Sequence, residues 1–218
     1  MTRVRTSAIV GLVLCAALTA GCSGSGSGSG SGSDTTSDNS ASAPDKSSSG
    51  SAPNAAAPTE SNPPGDIPDN QAFVAYRPSG GFTGFTVKVP EGWARTTNGA
   101  TTVFTDKLNR IQISAATATA VPTVGSVTNT VVPQLHGQVS KFANPKASVV
   151  QRRAGTAVLL TYQGDSAADP VTGKVVRDAF ERYAFYRQGH EVDLTLSGPV
   201  NADNVDPWRI VSDSFGWR

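Results

Sequence analysis

The 218 residues carry 18 basic and 17 acidic side chains, for a formal net charge of +1, and every Trp, Tyr and Phe lies beyond residue 70. This near balance, without a dense basic stripe, argues against a nucleic-acid-binding protein. The only cysteines are Cys15 and Cys22, so the chain beyond them has no internal disulfide, thiol nucleophile or cysteine metal ligand.

The N-terminus has the layout of an export signal. Arg3 and Arg5 precede an apolar run from Ala8 to Leu18. A run of this length is shorter than the ~20 residues of a membrane-spanning helix and is typical of a secretory signal peptide. Small residues suited to a signal peptidase follow it, and the next residue is Cys22.

The stretch Leu18-Thr19-Ala20-Gly21-Cys22 resembles the lipobox of bacterial lipoproteins. Many lipoboxes have Leu three residues before the cysteine, whereas Thr19 stands there in this chain. The resemblance implies a diacylglyceryl group on the Cys22 thiol, cleavage just before that residue, and a position on the extracytoplasmic face of the cell membrane. Two acyl chains anchor a protein stably, whereas one binds only marginally. The alternative is an ordinary cleaved signal followed by an incidental cysteine.

Composition divides the chain into three parts. Residues 1–21 form the predicted signal peptide, residues 22–70 are almost wholly Ser, Gly, Ala, Pro, Thr, Asn and Asp, and residues 71–218 contain the aromatic residues. The middle part has no apolar periodicity and predicts a disordered tether with a coil dimension of ~35–42 Å. Its Ser, Thr and Pro content also fits an O-glycosylated stalk. Only the last part can bury a core, and it predicts a single domain.

Alternating apolar residues predict strands in the first half of this domain. The predicted strands lie at residues 73–77, 85–89, 101–105 and 111–118, with a hairpin turn at 107–109. A helix is predicted next, because apolar residues recur at helical spacing. They are Val127, Val131, Leu135, Val139 and Phe142. Pro133 lies off this stripe and is expected to kink or split the helix.

The second half of the domain predicts further strands, at residues 147–153, 157–162, 175–187 and 190–196. The segment 157–162 is apolar on both faces, which favours a central position in the sheet. A terminal helix follows, capped by Asp203 or Asn204. Its expected buried stripe is Val205, Trp208, Val211 and Phe215. The order of elements predicts an α+β fold, in which an antiparallel sheet carries two or three packed helices.

Two segments of the domain resemble a known family. The stretch GFTVKVPEGWART at residues 84–96 is similar to the strand and Pro-x-Gly-Trp turn of PsbP-like lipoprotein domains, of the actinobacterial LpqN/LpqT type. The closing VDPWRIVSDSFGW at residues 205–217 resembles their terminal helix. The resemblance spans roughly residues 71–218 in element order. It implies a non-enzymatic envelope module whose ligand differs between members, and it transfers no catalytic residue.

Recognisable catalytic and metal-binding motifs are absent from the sequence. His136 and His190 lie on different predicted elements and are interpreted as boundary or surface residues rather than metal ligands. The triplet Gly164-Asp165-Ser166 follows a strand, as in some hydrolases, but no histidine is placed to activate the Ser166 hydroxyl. The sequence therefore predicts no catalytic residue, no metal site and no cofactor.

A predicted strand at residues 175–187 combines cationic and aromatic side chains. One interpretation is a single ligand face for a phospholipid headgroup or an anionic wall polymer. Its residues would be Arg177, Arg182, Tyr183, Tyr186 and Arg187. The simpler interpretation is a strand with two different faces and exposed cross-strand ion pairs.

Two functions from different classes remain open at this stage. The first is a membrane-anchored, non-enzymatic binding or accessory module, whose partner is an envelope lipid, a wall polymer, a small molecule or a protein. The second is an envelope hydrolase or transferase that uses carboxylates such as Asp165, Asp169 and Glu181. The second function needs two carboxylates in one cleft, one of them with a raised pKa. The oligomeric state is not indicated by the sequence.

Overall fold

The structure, a computed structural model, describes residues 65–169 and 173–218 and is dominated by antiparallel strands. The strands of these residues are Phe73–Tyr76 (β1), Phe85–Pro90 (β2), Ala94–Asn98 (β3), Thr101–Asp106 (β4), Asn109–Thr117 (β5), Ala143–Arg152 (β6), Gly155–Asp165 (β7), Arg177–Arg187 (β8), His190–Pro199 (β9) and Gly216–Trp217 (β10). The helical segments are Val124–Ser126 (α1), a π-helical turn at Val127–Val131, Val132–Gln138 (α2) and Val205–Ser214 (α3).

Seven strands form the main sheet, in the order β3-β4-β5-β9-β8-β7-β6, and each neighbouring pair is antiparallel. The remaining described strands form a small sheet in the order β1-β2-β10. The alternation along β9 explains why the main sheet has two different faces. Val192, Leu194 and Leu196 are fully buried on one face, whereas Glu191 and Asp193 point to the other.

Both faces of the main sheet are covered in part. On one face, α3 and the small sheet form the larger core, in which the Phe185 ring stacks on Phe215 with centroids 4.0 Å apart. On the opposite face, the helical segment from α1 to α2 covers Leu160 of β7 and Ala184 of β8. The α+β prediction, an antiparallel sheet with packed helices, is therefore confirmed.

Pro133 explains the irregular helix. A proline inside a helix donates no backbone hydrogen bond, and its ring clashes with the carbonyl four residues earlier. The chain responds with the π-helical turn just before it, where the Val132 N–H donates to the Val127 carbonyl. The helix starts at a reciprocal Thr123–Ser126 capping box and ends at Gln138.

Most predicted elements are present with shifted ends, but several details differ from the sequence-based prediction. Strand β3 was not predicted, because all five of its residues are exposed and show no apolar alternation. Strand β7 lies next to the edge strand β6 rather than at the centre of the sheet. Val205 was predicted to be buried but is 71% exposed, because it lies at the first turn of α3 facing away from the sheet. Val139 and Phe142 lie beyond the helix end, which makes the packed helix shorter than the stripe predicts.

The folded part of the chain extends ahead of residue 71. Ile67 is 4% exposed and belongs to the larger core. The Asn204 side chain holds this segment, since its Oδ1 accepts from the Ile67 N–H at 2.9 Å and its Nδ2 donates to the Gly65 carbonyl at 3.0 Å. Asn204 therefore does not cap α3 with its side chain, although it occupies the N-cap position.

The predicted signal peptide, the lipobox residues Leu18, Thr19, Ala20 and Gly21, the lipidation site Cys22 and most of the predicted tether lie outside the described residues. Within residues 65–169 and 173–218, the structure contains no helix that is both long enough and apolar enough to cross a membrane.

Asp178 on β8 is a buried acid, with 2% of its surface exposed, and its Oδ1 has no hydrogen-bond partner among the described residues. Burial raises the pKa of Asp178 to about 6, and a hydrogen bond with Ser197 opposes part of this shift. The folded state therefore binds this proton more tightly than the unfolded state does.

We predict that the protein becomes less stable as the pH rises, because the buried Asp178 carboxyl then loses its proton. Because the folded-state pKa of Asp178 lies above the unfolded value, the free energy of unfolding should fall by about 1 to 2 kcal/mol between pH 4 and pH 6. The Asp178→Asn variant should lose this part of the pH dependence in urea unfolding curves, whereas the exposed control Asp203→Asn should keep it. Identical pH profiles for the two variants would contradict the assignment.

Candidate functional site

A cleft of about 760 Å³ opens between the end of the edge strand β6, strand β8 and helix α3. We call it the arginine cleft. It is lined by Gln151, Arg152, Arg153, Glu181, Tyr183, Val205, Arg209 and Asp213. The cleft exists because α3 packs over the central strands of the main sheet. The last residues of the edge strand β6 are therefore not covered by the helix.

The guanidinium of Arg152 organises the wall of this cleft. Its Nε donates to the Ser212 Oγ at 3.1 Å, and its Nη2 donates to the Tyr183 hydroxyl at 2.9 Å. The same group lies over the Tyr183 ring, 4.9 Å from the ring centroid. One side chain on the edge strand therefore contacts both the neighbouring face of β8 and the buried side of α3.

Tyr183 and Glu181 reach the cleft because residues two apart on a strand share a face. The Tyr183 hydroxyl donates to Glu181 Oε2 at 2.7 Å. Burial, and then the nearby Glu181 carboxylate, raise the pKa of Tyr183. The phenol consequently stays protonated at neutral pH and acts as a hydrogen-bond donor, not as a base.

The cleft carries more positive than negative charge. The Asp213 carboxylate is shared by Arg152 at 3.5 Å and Arg209 at 3.6 Å. Arg153 is exposed and forms no ion pair with any described residue. With Glu181 counted, three guanidinium groups face two carboxylates. This arrangement suits an anionic ligand, because a guanidinium fork matches carboxylate and phosphate oxygens.

A second opening of about 510 Å³ continues from the cleft along α3 and shares Arg153, Arg209 and Asp213 with it. It adds the cation of Lys88, the carboxylate of Asp206 and the apolar side chain of Ile210, which is 44% exposed. The two openings together form a groove in which four cations face three carboxylates, with exposed apolar positions at its rim.

The structure does not bring the five residues of the predicted ligand face together. Tyr183 lines the arginine cleft, but Arg182 and Tyr186 point to the opposite face of β8, as strand alternation requires. Arg177 lies at the start of the strand, and the exposed Arg187 lies at its end beside the β8–β9 hairpin. The sequence analysis did not connect Tyr183 with Arg152. Strands β6 and β8 are not paired with each other, and they line the same cleft only because both pair with β7 in the sheet.

Arg182 belongs to a separate polar cluster on the opposite face. Its Nη2 donates to Asp193 Oδ2 and lies 3.7 Å from Glu191 Oε1. Burial raises the pKa of Asp193, against the opposing effect of the Arg182 charge. This cluster links β8 and β9 as the simpler interpretation of the strand expects, but its side chains are largely buried, whereas that interpretation expects exposed ion pairs.

The carboxylates proposed for the enzymatic alternative do not converge. Asp165 pairs with Lys141 at 3.0 Å and lies 3.9 Å from Arg177, whereas Glu181 lies in the arginine cleft. Asp169 lies in the loop after β7, where its N–H donates to the Lys174 carbonyl.

The remaining candidates for chemistry are held in structural contacts. The Ser166 hydroxyl donates to the Ala167 carbonyl and accepts from the Val176 N–H. His136 packs edge-on against Phe142, and His190 stacks on Phe82. In the part of the chain that the structure describes, no group of three His, Cys, Asp or Glu side chains is close enough to hold a metal ion.

No family model matches this sequence, and no curated protein matches it. Solved structures do show similarity. A cyanobacterial PsbP (CyanoP) from Synechocystis is 14% identical with a TM-score of 0.49, over 68% of this chain and 94% of its own. LpqN of Mycobacterium tuberculosis, described as involved in cell envelope biogenesis, is 15% identical with a TM-score of 0.35, over 68% and 85%. The Ran-binding protein Mog1p of Saccharomyces cerevisiae is 11% identical with a TM-score of 0.41, over 61% and 79%.

Two of these three structures are of the PsbP and LpqN types that the sequence resembles. None of the three TM-scores reaches 0.5, and at these identities a structural likeness says nothing about a shared ligand or activity.

Arg152 and Arg153 provide a matched pair for testing how the cleft is built. Arg152→Gln should lower the free energy of unfolding by about 1 to 3 kcal/mol, because it removes charge-assisted hydrogen bonds to Ser212 and Tyr183. Arg153→Gln should change it by less than about 0.5 kcal/mol, since this exposed side chain forms no ion pair with any described residue. Denaturant unfolding of both variants measures the difference, and equal losses would show that Arg152 does not join β6 to α3.

Proposed function

We propose that this protein is a lipid-anchored, non-enzymatic binding module of the cell envelope, and that its ligand site is the arginine cleft. The lipobox-like stretch ending at Cys22 supports attachment to the extracytoplasmic face of the cell membrane. The Ser- and Gly-rich stretch that follows supports a spacer long enough to let the domain reach ligands away from the membrane surface.

The observation that carries the binding role is the charge arrangement along the cleft. Arg152 is fully engaged with Ser212, Tyr183 and the Gln151 carbonyl, so it forms the wall. Arg153 is exposed at the mouth without an ion pair to any described residue, and the exposed Arg209 contacts Asp213 through Nε, which leaves its other N–H groups for a ligand. Such groups bind carboxylate and phosphate through paired hydrogen bonds.

The ligand inferred from this groove is an anion with apolar portions. The cations of Arg153, Arg209 and Lys88 would hold its phosphate or carboxylate groups, and the exposed Ile210 and Val205 would contact its apolar part. A phospholipid headgroup region and an anionic wall polymer share this chemistry. Binding rather than catalysis is favoured, because Asp165, a carboxylate proposed for the enzymatic alternative, is paired with Lys141 and does not line the cleft that contains Glu181.

Lipidation is tested at Cys22. When the chain is produced in a bacterial host with a labelled fatty-acid analogue, the wild type should carry the label and sediment with membranes. Cys22→Ala should lose the label and leave the membrane fraction, whereas Cys15→Ala should behave as the wild type. Retention of both label and sedimentation by Cys22→Ala would contradict the anchor.

The binding role is tested with soluble anions and matched arginine variants. Calorimetric titration of the full chain in neutral detergent should show binding of tripolyphosphate or of polygalacturonate. Arg153→Gln combined with Arg209→Gln should weaken that binding at least about tenfold, since each lost charge-assisted hydrogen bond removes 1.5 kcal/mol or more.

The control combines Arg77→Gln with Arg187→Gln, which removes the same charge from exposed positions outside the cleft. It should weaken binding by less than about threefold, because exposed distant charges are largely screened by salt. Equal losses in both double variants would assign the binding to net charge instead of the cleft. Stronger binding of tripolyphosphate than of polygalacturonate would favour a phosphate-bearing ligand, and the reverse would favour a carboxylate-bearing polymer.

A further inference from the structure

A second, smaller pocket lies at the other end of the main sheet. It has a volume of about 130 Å³ and sits between strands β3, β4 and β5 and the glycine-rich loop that joins β1 to β2. We call it the hydroxyl pocket. Its lining includes Tyr76, Phe82, Arg95, Thr97, Thr102 and Ile113. At about 30 Å³ per water molecule, it has room for roughly four waters or one small organic molecule.

The loop over this pocket is held down at one point. The Phe82 ring stacks on His190 with centroids 3.9 Å apart and an angle of 12° between the rings. Phe82 also folds back over Gly84, where any Cβ would collide with the ring. The tip at Ser79 and Gly80 is exposed and lines the pocket. The loop is therefore a roof fixed through Phe82, with a glycine-containing tip next to the opening.

Three hydroxyl groups form a chain along one wall. The Tyr76 hydroxyl donates to the Thr102 Oγ1 at 2.9 Å, and the Thr97 and Thr102 Oγ1 atoms are 3.2 Å apart. Three hydroxyl protons serve only two hydrogen bonds, so one proton is left over whichever threonine donates to the other. Tyr76 and Thr102 are 7% and 4% exposed. When Thr97 donates to Thr102, the spare donor is the buried Thr102 hydroxyl, which needs an acceptor; in the opposite arrangement it is the exposed Thr97 hydroxyl at the pocket opening.

The pocket also has a cation without a counter-charge. The Arg95 guanidinium lies 4.9 Å from the centroid of the Tyr76 ring and 6.0 Å from that of Phe104. No described residue forms an ion pair or hydrogen bond with it. No acidic side chain lines the pocket. An anion is consequently the ligand that this lining favours, and the guanidinium fork suits a carboxylate.

We propose that the hydroxyl pocket is a binding site for a small carboxylic acid, separate from the arginine cleft. The carboxylate accepts hydrogen bonds from the Arg95 guanidinium and from the spare hydroxyl of Thr97 or Thr102. The short carbon part of the ligand contacts Phe82 and Ile113. The pocket is too small for a nucleotide or an acyl chain, because sites for drug-sized ligands occupy about 300 Å³ or more.

The test is a titration of the full, isotope-labelled chain in detergent, followed by NMR. Acetate and glycolate should shift the backbone amide signals of Gly80, Thr97 and Thr102 in a saturable way. Acetamide has the size of acetate but no charge, and it should shift them at least about tenfold more weakly. Equal responses to acetate and acetamide, or no saturable shift with either acid, would overturn the proposal.

Variants locate the effect in the pocket. Arg95→Gln should weaken acetate binding at least about tenfold, and Thr97→Val should weaken it less but measurably. Lys146→Gln removes an exposed cation from β6, at the opposite edge of the main sheet, and should leave acetate binding unchanged. If Arg95→Gln does not fold, the Thr97→Val variant becomes the deciding test. Unchanged acetate binding by Thr97→Val would then overturn the proposed site. Tripolyphosphate binding at the arginine cleft should survive in Arg95→Gln, so the two proposals fail independently.

Discussion

The hydrogen bonds of Arg152 are the contact on which the candidate site depends. This residue lies at the end of the edge strand β6, which pairs with a neighbouring strand on one side only. Its guanidinium instead joins Ser212 on α3 to Tyr183 on β8, two partners that are far apart in sequence. The contact joins two walls of the cleft, whose lining also includes the exposed Arg153 and the Asp213-paired Arg209.

The sequence predicted the strands and the terminal helix well, because each buries a regular apolar stripe. The alternation of Val192, Leu194 and Leu196, for example, could only place these residues in a core. Strand β3 was missed because a fully exposed edge strand needs no apolar pattern. Asn204 was assigned the wrong role, because its side chain holds the segment around Ile67, and that contact spans most of the chain. Val205 was assigned to the core, but it lies at the first turn of α3 facing away from the sheet.

The candidate site was less predictable than the fold. Strand alternation alone separates Tyr183 from Arg182, and it could have corrected the single ligand face that the sequence suggested. The Arg152 contacts could not have been found in this way, since they depend on sheet order and on where α3 lies. The hydroxyl pocket is similar, because Thr97 and Thr102 face each other across the unpredicted β3–β4 pair, and Tyr76 reaches them only when the small sheet packs on the main sheet.

The central claim is that the protein binds an anionic molecule in the arginine cleft while anchored in the envelope. Native mass spectrometry of the full chain, extracted from its own host membrane, tests this claim most directly. The account predicts a bound molecule that carries phosphate or carboxylate and that is absent when both Arg153 and Arg209 are replaced by Gln. An unliganded protein, a neutral ligand, or the same ligand on the double variant would contradict it.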